Sequence, residues 1–147
     1  MHTVKELLAL KGSVVWTISA EASVYEALAI MADREIGALV VVNGAGVLGV
    51  ISERDYARKI ELRGRISKTT AVKDIMTPLP IVVRSSQTTQ ECMAMMTEKR
   101  IRHLPVIDNG KLVGIISIGD IVKSIISGQE LLIKNLETYI VGTTLPV

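Results

Sequence analysis

The phrase Gly49-Val50-Ile51-Ser52-Glu53-Arg54-Asp55 returns as Gly114-Ile115-Ile116-Ser117-Ile118-Gly119-Asp120, 65 positions later. It closes a longer repeat, because residues 16 to 60 lie over 81 to 125 without a gap. Glu26 falls on Glu91, Met31 on Met96, Leu39 on Leu104 and Val41 on Val106. Self-similarity at a fixed period makes the chain two copies of one supersecondary unit before any residue has a role. In 147 residues each copy is too small to hide its own apolar faces. The two are therefore expected to pack together into one core.

Each copy carries its own punctuation. Ser23 stands three residues before Glu26, and Thr88 three before Glu91. This capping-box pattern opens an amphipathic helix with Leu28 and Met31, or Met93 and Met96, on its apolar face. An apolar, β-branched run follows (Ala38 to Val42, Leu104 to Ile107), then a turn (Asn43 to Gly46, Asp108 to Lys111) and a second run (Val47 to Ile51, Leu112 to Ile116). Together these read as a hairpin. A second helix begins at the repeated Ser and is expected to end near Ile60 or Ile126. A short preface, Val4 to Leu8 and again Val72 to Met76, is assigned to the unit it precedes, at an offset of 68. After Gly128 a tail helix is expected, with Leu132, Ile133, Leu136 and Ile140 along one side as a cover for the module or a contact for another chain.

Composition excludes several classes. With no Phe, one Trp and three Tyr, base-stacking platforms for single strands are not expected. One cysteine, Cys92, excludes an internal disulfide and fits a reducing compartment. No apolar run approaches the roughly 20 residues of a membrane span, so a soluble, cytoplasmic protein without membrane contact is expected. The net charge of +2 implies no polyanionic partner by itself, although basic residues crowd the stretch from Arg54 to Lys73. A solvated linker between the two units is a commoner explanation of such a run than a nucleic-acid patch.

The Ser-x-x-Asp pairs admit two compatible readings. Ser at an N-cap and an acid three residues on are ordinary helix-start chemistry. A strand end meeting a helix start also gathers amide N–H groups, a hydroxyl and a carboxylate, which together could hold a ribose diol and leave phosphates to nearby cations. The neighbouring Ile101-Arg102-His103-Leu104-Pro105-Val106 favours a site. Pro105 cannot donate to a ladder, which puts this strand at an edge or turns its free side elsewhere. Arg102 and His103 stand just ahead of it as phosphate donors, and Arg54, between Ser52 and Asp55, could reach into a cleft. Gly44-Ala45-Gly46-Val47-Leu48-Gly49 matches a dinucleotide fingerprint but spans a turn and a strand, and the second copy does not keep it. Two histidines and one cysteine assemble no metal site or catalytic triad, and Cys92, aligned with Ala27, reads as a core residue. No catalytic residue is assigned, and the chain is read as a non-enzyme.

These phrases in this order, with Val72-Lys73-Asp74-Ile75-Met76-Thr77, resemble the cystathionine-β-synthase domain pair, or CBS pair, in its stand-alone bacterial form. The resemblance covers about residues 3 to 127. It implies an α+β fold of two pseudo-twofold-related β-α-β-β-α repeats packed through their sheets, here residues 1–66 and 67–128, plus the C-terminal helix and tail at 129–147. It also implies two clefts for adenine ligands: AMP foremost, otherwise ATP, ADP, NAD or S-adenosylmethionine, with no metal and no catalytic cofactor. In the second cleft Ser117 and Asp120 would hold the ribose, Arg102 and His103 would face phosphates, and Met76, Thr77, Pro105, Val106 and Ile116 would complete the pocket. Ser52, Arg54 and Asp55 would play the matching parts in the first cleft. There Gly37, Ala38 and Val40 replace Arg102, His103 and Pro105, so the first cleft is expected to be empty, weaker or tuned to a different ligand. The function implied is a homodimeric nucleotide sensor that signals by conformational change to an effector protein. The alternatives are a ligand-free dimerisation scaffold and, less favoured, nucleic-acid binding.

Overall fold

The computed structural model describes residues 2–12, 14–44, 46–78 and 81–144, the side chains of 129–131 and 139–144 excepted. The first half runs α1 (Val4–Lys11), β1 (Thr17–Ser19), α2 (Val24–Arg34), β2 (Ala38–Asn43), β3 (Gly46–Ser52) and α3 (Glu53–Tyr56), which continues into a π-helical turn, Ala57–Glu61. The second runs through a 3₁₀ turn (Val72–Asp74), β4 (Thr77–Pro78), α4 (Thr89–Lys99), β5 (His103–Asp108), β6 (Lys111–Ser117) and α5 (Ile118–Thr144). Ser23 and Thr88 cap α2 and α4 by accepting from the N–H groups of Glu26 and Glu91. The hairpins form as expected, each strand reaching a residue or two further, with Asn43 pairing Gly46 and Asp108 pairing Lys111. Asn109 and Gly110 both take positive φ (50° and 76°), the backbone of a type I′ turn. The fingerprint-like Gly44 to Gly49 falls on the first turn and β3, and α3 starts only at Glu53.

Four strands form one sheet, in the order β1-β2-β3-β4, and β5 and β6 form another. Pro105 explains much of the difference between them. In the first half Val40 donates to the Trp16 carbonyl (3.3 Å), which helps β1 lie parallel along β2. Its counterpart Pro105 has no N–H to give. Parallel pairing there shrinks to a single bridge, Val83 with Val106, made through the Pro105 carbonyl and the Ile107 N–H.

Three expectations need correction. The buried side chains form two clusters, one in each half, rather than one core. The prefaces are also exchanged: Val4, Leu7 and Leu8 complete the cluster of Cys92, Leu104 and Ile116, while Val72 and Ile75 complete that of Val24, Leu39 and Ile51. Backbone bridges mark the crossing at pseudo-equivalent places, Thr3 with Thr88 and Ala71 with Ser23. The different offsets, 68 for the preface and 65 for the repeat body, fit two elements placed independently. Burying a Val, Leu or Ile side chain is worth about 1.5–3 kcal/mol, so each half takes a large share of its stability from the other's preface. No break occurs at Gly128 either, since α5 runs through it. An interior Gly costs about 1 kcal/mol, which the surrounding helix formers offset.

The repeated glycine of the opening phrase lies where each preface crosses. A Cβ on Gly49 would collide with the Thr77 carbonyl oxygen and stand 3.0 Å from Met76 Sδ, whereas the three atoms nearest to one on Gly114 all belong to the Leu8 side chain, from 2.7 Å. Backbone cannot yield as a leucine side chain can. Gly49→Ala should therefore cost about 1–3 kcal/mol in urea unfolding and Gly114→Ala clearly less. Equal costs would place the close approach elsewhere.

Candidate functional site

Both Ser-x-x-Asp phrases are helix caps. Asp55 N–H donates to Ser52 Oγ (3.2 Å) and Ser52 N–H to Asp55 Oδ2 (2.9 Å), a reciprocal box. Asp120 N–H to Ser117 Oγ (3.1 Å) and Ser117 N–H to Asp120 Oδ2 (2.8 Å) repeat it. The helix-start reading is correct in both copies, and it fixes each carboxylate at a strand-to-helix corner.

The corners then differ in what comes to meet them. Asp55, only 8% exposed, accepts at Oδ1 from Thr77 Oγ1 (3.3 Å) and pairs there with Lys59 Nζ (3.1 Å). Lys59 also donates to the Ile75 carbonyl. Asp120 instead pairs through Oδ2 with Lys11 Nζ (2.5 Å), which also donates to the Ile115 carbonyl (2.7 Å). The preface exchange decides both encounters, since Thr77 follows the second preface and Lys11 ends α1.

A cavity of about 780 Å³ opens beside Asp55. It brings together Gly37, Ser52, Arg54, Asp55 and Thr77 with Arg102 and His103. Thr77 thus joins the first Ser-x-x-Asp phrase, not the second as expected, while Arg102 and His103 adjoin both: they line this cavity, and His103 pairs with Ser117 across the hairpin as the Ile118 N–H donates to the Arg102 carbonyl. Met76 packs against the first cluster beside Gly49. Val106 and Ile116 are fully buried in the second cluster and line no cleft, which corrects their expected role. Pro105 is buried on the face of β5 opposite Val106, while Ala38 and Val40 are buried on the face of β2 opposite Leu39 and Val41. Asp120 borders a smaller groove, about 330 Å³, between α1 and α5, lined also by His2, Leu7, Lys11 and Lys123.

Six cations surround the larger cavity, Arg54, Arg58, Lys59, Lys99, Arg100 and Arg102, against the carboxylates of Glu53 and Asp55. Carried through the repeat, the same six positions hold Gly119, Lys123, Ser124, Arg34, Glu35 and Gly37. Across the repeat the Asp is kept, while only Lys123 and Arg34 of these six equivalents are basic. Arg100 closes α4 in the left-handed conformation (φ 55°), so the chain turns sharply between Lys99 and β5. Sequence reasoning passed over Lys59, Lys99, Arg100 and Lys11. Lys59 had a signal, four residues after Asp55 on a helix; Lys11, 109 residues from Asp120, had none.

Local fields follow from this placement. Burial pushes the Asp120 carboxyl up, but Lys11 and the Ser117 N–H more than offset it and leave it below the usual carboxylate range. Burial, Lys11 and Arg102 hold the His103 imidazole below its ordinary value against Asp120 and Asp55. Burial and Glu91 push the Cys92 thiol up to about 11, so it is an inert core group.

The CBS-domain family model matches residues 4–62 and again 72–127. The chain belongs to the CBS-domain family. CBS domains act in general as regulatory sensors of adenosine ligands. A solved protein with CBS domains from Burkholderia ambifaria is 51% identical, with a TM-score of 0.83 over 86% of this chain and 96% of that one. CBSX2, solved in complex with AMP, is 30% identical, with a TM-score of 0.69 over 88% and 99%. The mitochondrial CBS domain-containing protein CBSX3 of Arabidopsis thaliana is 39% identical over 89% of this chain, which spans 66% of that protein's length. Among the described residues, no helix of this CBS pair is long and apolar enough to cross a membrane.

His103 gives the cavity a pH signature. Its folded value lies below the unfolded value of about 6.5, so the unfolded chain binds more protons as pH falls past that point and stability drops. Unfolding titrations from pH 8 to 5, about the range where histidine titrates, should show this loss, and His103→Gln should flatten it. An unchanged slope in the variant would remove His103 as its source.

Proposed function

We propose that this CBS pair is a regulatory adenine-nucleotide sensor whose working cleft is the cavity at Asp55. The observation that carries the reading is the cavity's composition: six cations and an ordered carboxylate around about 780 Å³, within the roughly 300–1,000 Å³ of small-molecule pockets. Cations gathered at this density repel one another unless an anion joins them. Ribose hydroxyls would donate to Asp55 Oδ1 in place of Thr77, and Lys59 and the arginines would turn to the phosphates. AMP, the ligand of the CBSX2 complex, is the first probe, with ATP, ADP and NAD behind it. Each added phosphate has more cations to meet.

The nucleotide bridges elements of both halves, Ser52–Asp55 with Thr77 and Arg102–His103. Its binding would therefore shift one half against the other. That movement would reach an effector protein, in a module that binds rather than catalyses. The exposed Val122, Ile126, Leu132, Ile133 and Leu136 on α5 would serve a homodimer contact. A ligand-free scaffold is the alternative, supported by both Ser-x-x-Asp pairs being satisfied as caps.

Thermal unfolding against AMP, ADP, ATP and NAD separates the two. A ligand that binds only the folded state stabilises it by RT ln(1 + [L]/Kd), about 2.7 kcal/mol at a hundred times Kd. At least one adenine nucleotide should raise the midpoint, and Arg102→Ala should weaken its binding about tenfold or more, as loss of a charge-assisted bond does. No shift with any of them would leave the scaffold. Polyanion binding that ignores the base and collapses with salt would point to nucleic acid.

A further inference from the structure

The second Ser-x-x-Asp corner keeps every feature of the first except its company. In the first half β4 lies along β3, pairing Thr77 with Val50, and Thr77 reaches the carboxylate from there. At the second corner the corresponding segment stays helical as α1, and among the described residues no strand lies along β6 at Ile115, the counterpart of Val50. Lys11 takes over both tasks. One ammonium donates to the Ile115 carbonyl that a neighbouring strand would have approached, and to the Asp120 oxygen that a ligand hydroxyl would have sought.

We propose that Lys11 is a built-in occupant of a latent second nucleoside site, and that it restricts the CBS pair to one nucleotide per chain. The inference rests on the reading that the Asp of each corner takes a ribose diol. Lys11 is tethered to α1, whose Val4, Leu7 and Leu8 are buried in the second cluster, so its ammonium holds the corner without the entropic cost a free ligand bears. A competing ligand must break a partly buried ion pair, with Lys11 29% and Asp120 20% exposed. It also finds Gly119 and Ser124 where the first cavity has Arg54 and Lys59, with Lys123 as the cation that lines its groove beside Lys11. With the ammonium removed, Asp120 and Ser117 keep their capping geometry, and the site is left suited to the adenosine moiety more than to phosphates. The lysine thus sets which copy of the repeat reads the ligand.

Calorimetric titration of the full chain with AMP and with adenosine tests this. The parent should bind one AMP. Lys11→Met, which keeps the aliphatic stem and removes the charge, should add a second site that also takes adenosine, and adding Asp120→Asn should abolish that second site alone. Lys11→Arg should keep the single-site behaviour, which serves as a folding control beside thermal midpoints. Two sites in the parent, or no added site in folded Lys11→Met, would overturn the proposal. A parent that binds no AMP while Lys11→Met binds it at one site dependent on Asp120 would uphold the plug and sink the reading of the Asp55 cavity.

Discussion

Each repeat leaves one side of its helix-hairpin-helix body uncovered, and the segment that covers it precedes the other repeat. Val4, Leu7 and Leu8 close the second cluster, and Val72 and Ile75 close the first, with bridges at Thr3–Thr88 and Ala71–Ser23 fixing the exchange. Neither half can be removed without opening the other's core. The two units form one module through swapped covers, as well as through whatever their sheets contribute.

Everything at the candidate site follows from that exchange. It carries Thr77 to Asp55 and Lys11 to Asp120, and so sends two identical caps to different fates. The glycine at the start of each phrase is the clearance for the crossing segment, tightest at Gly49, where backbone rather than side chain would be struck. Cations then accumulate mainly on one side, six around the Asp55 cavity against Lys11 and Lys123 at the Asp120 groove. A duplicated unit has become an asymmetric one by side-chain replacement, with the backbone corner retained.

Much of this was legible in the sequence. The repeat, the helices capped by Ser23 and Thr88 and the Asn109-Gly110 turn all follow from local chemistry, and several phrases in order pointed to the CBS family. The pairing of site residues was legible only in part. The hairpin sets His103 opposite Ser117 and Arg102 against Ile118, as alignment suggests, but the fold also opens both onto the Asp55 cavity and carries Thr77 to Asp55 rather than to Asp120. Val106 and Ile116 looked like pocket walls for the same reason, yet the pleat turns them inward to the cluster. Lys11 illustrates the limit best: nothing local distinguishes it from any lysine at a helix end, and only the tertiary path of α1 gives it Asp120 as a partner.

The most direct test of the central claim is a two-dimensional amide NMR titration of the isotopically labelled chain with AMP. A nucleotide in the cavity spanning both halves should shift the amides of Gly37, Ser52 to Asp55, Thr77 and Ile101 to His103 together, with a single affinity. Shifts confined to Ser117–Asp120 and α1, or no shifts at all, would contradict it.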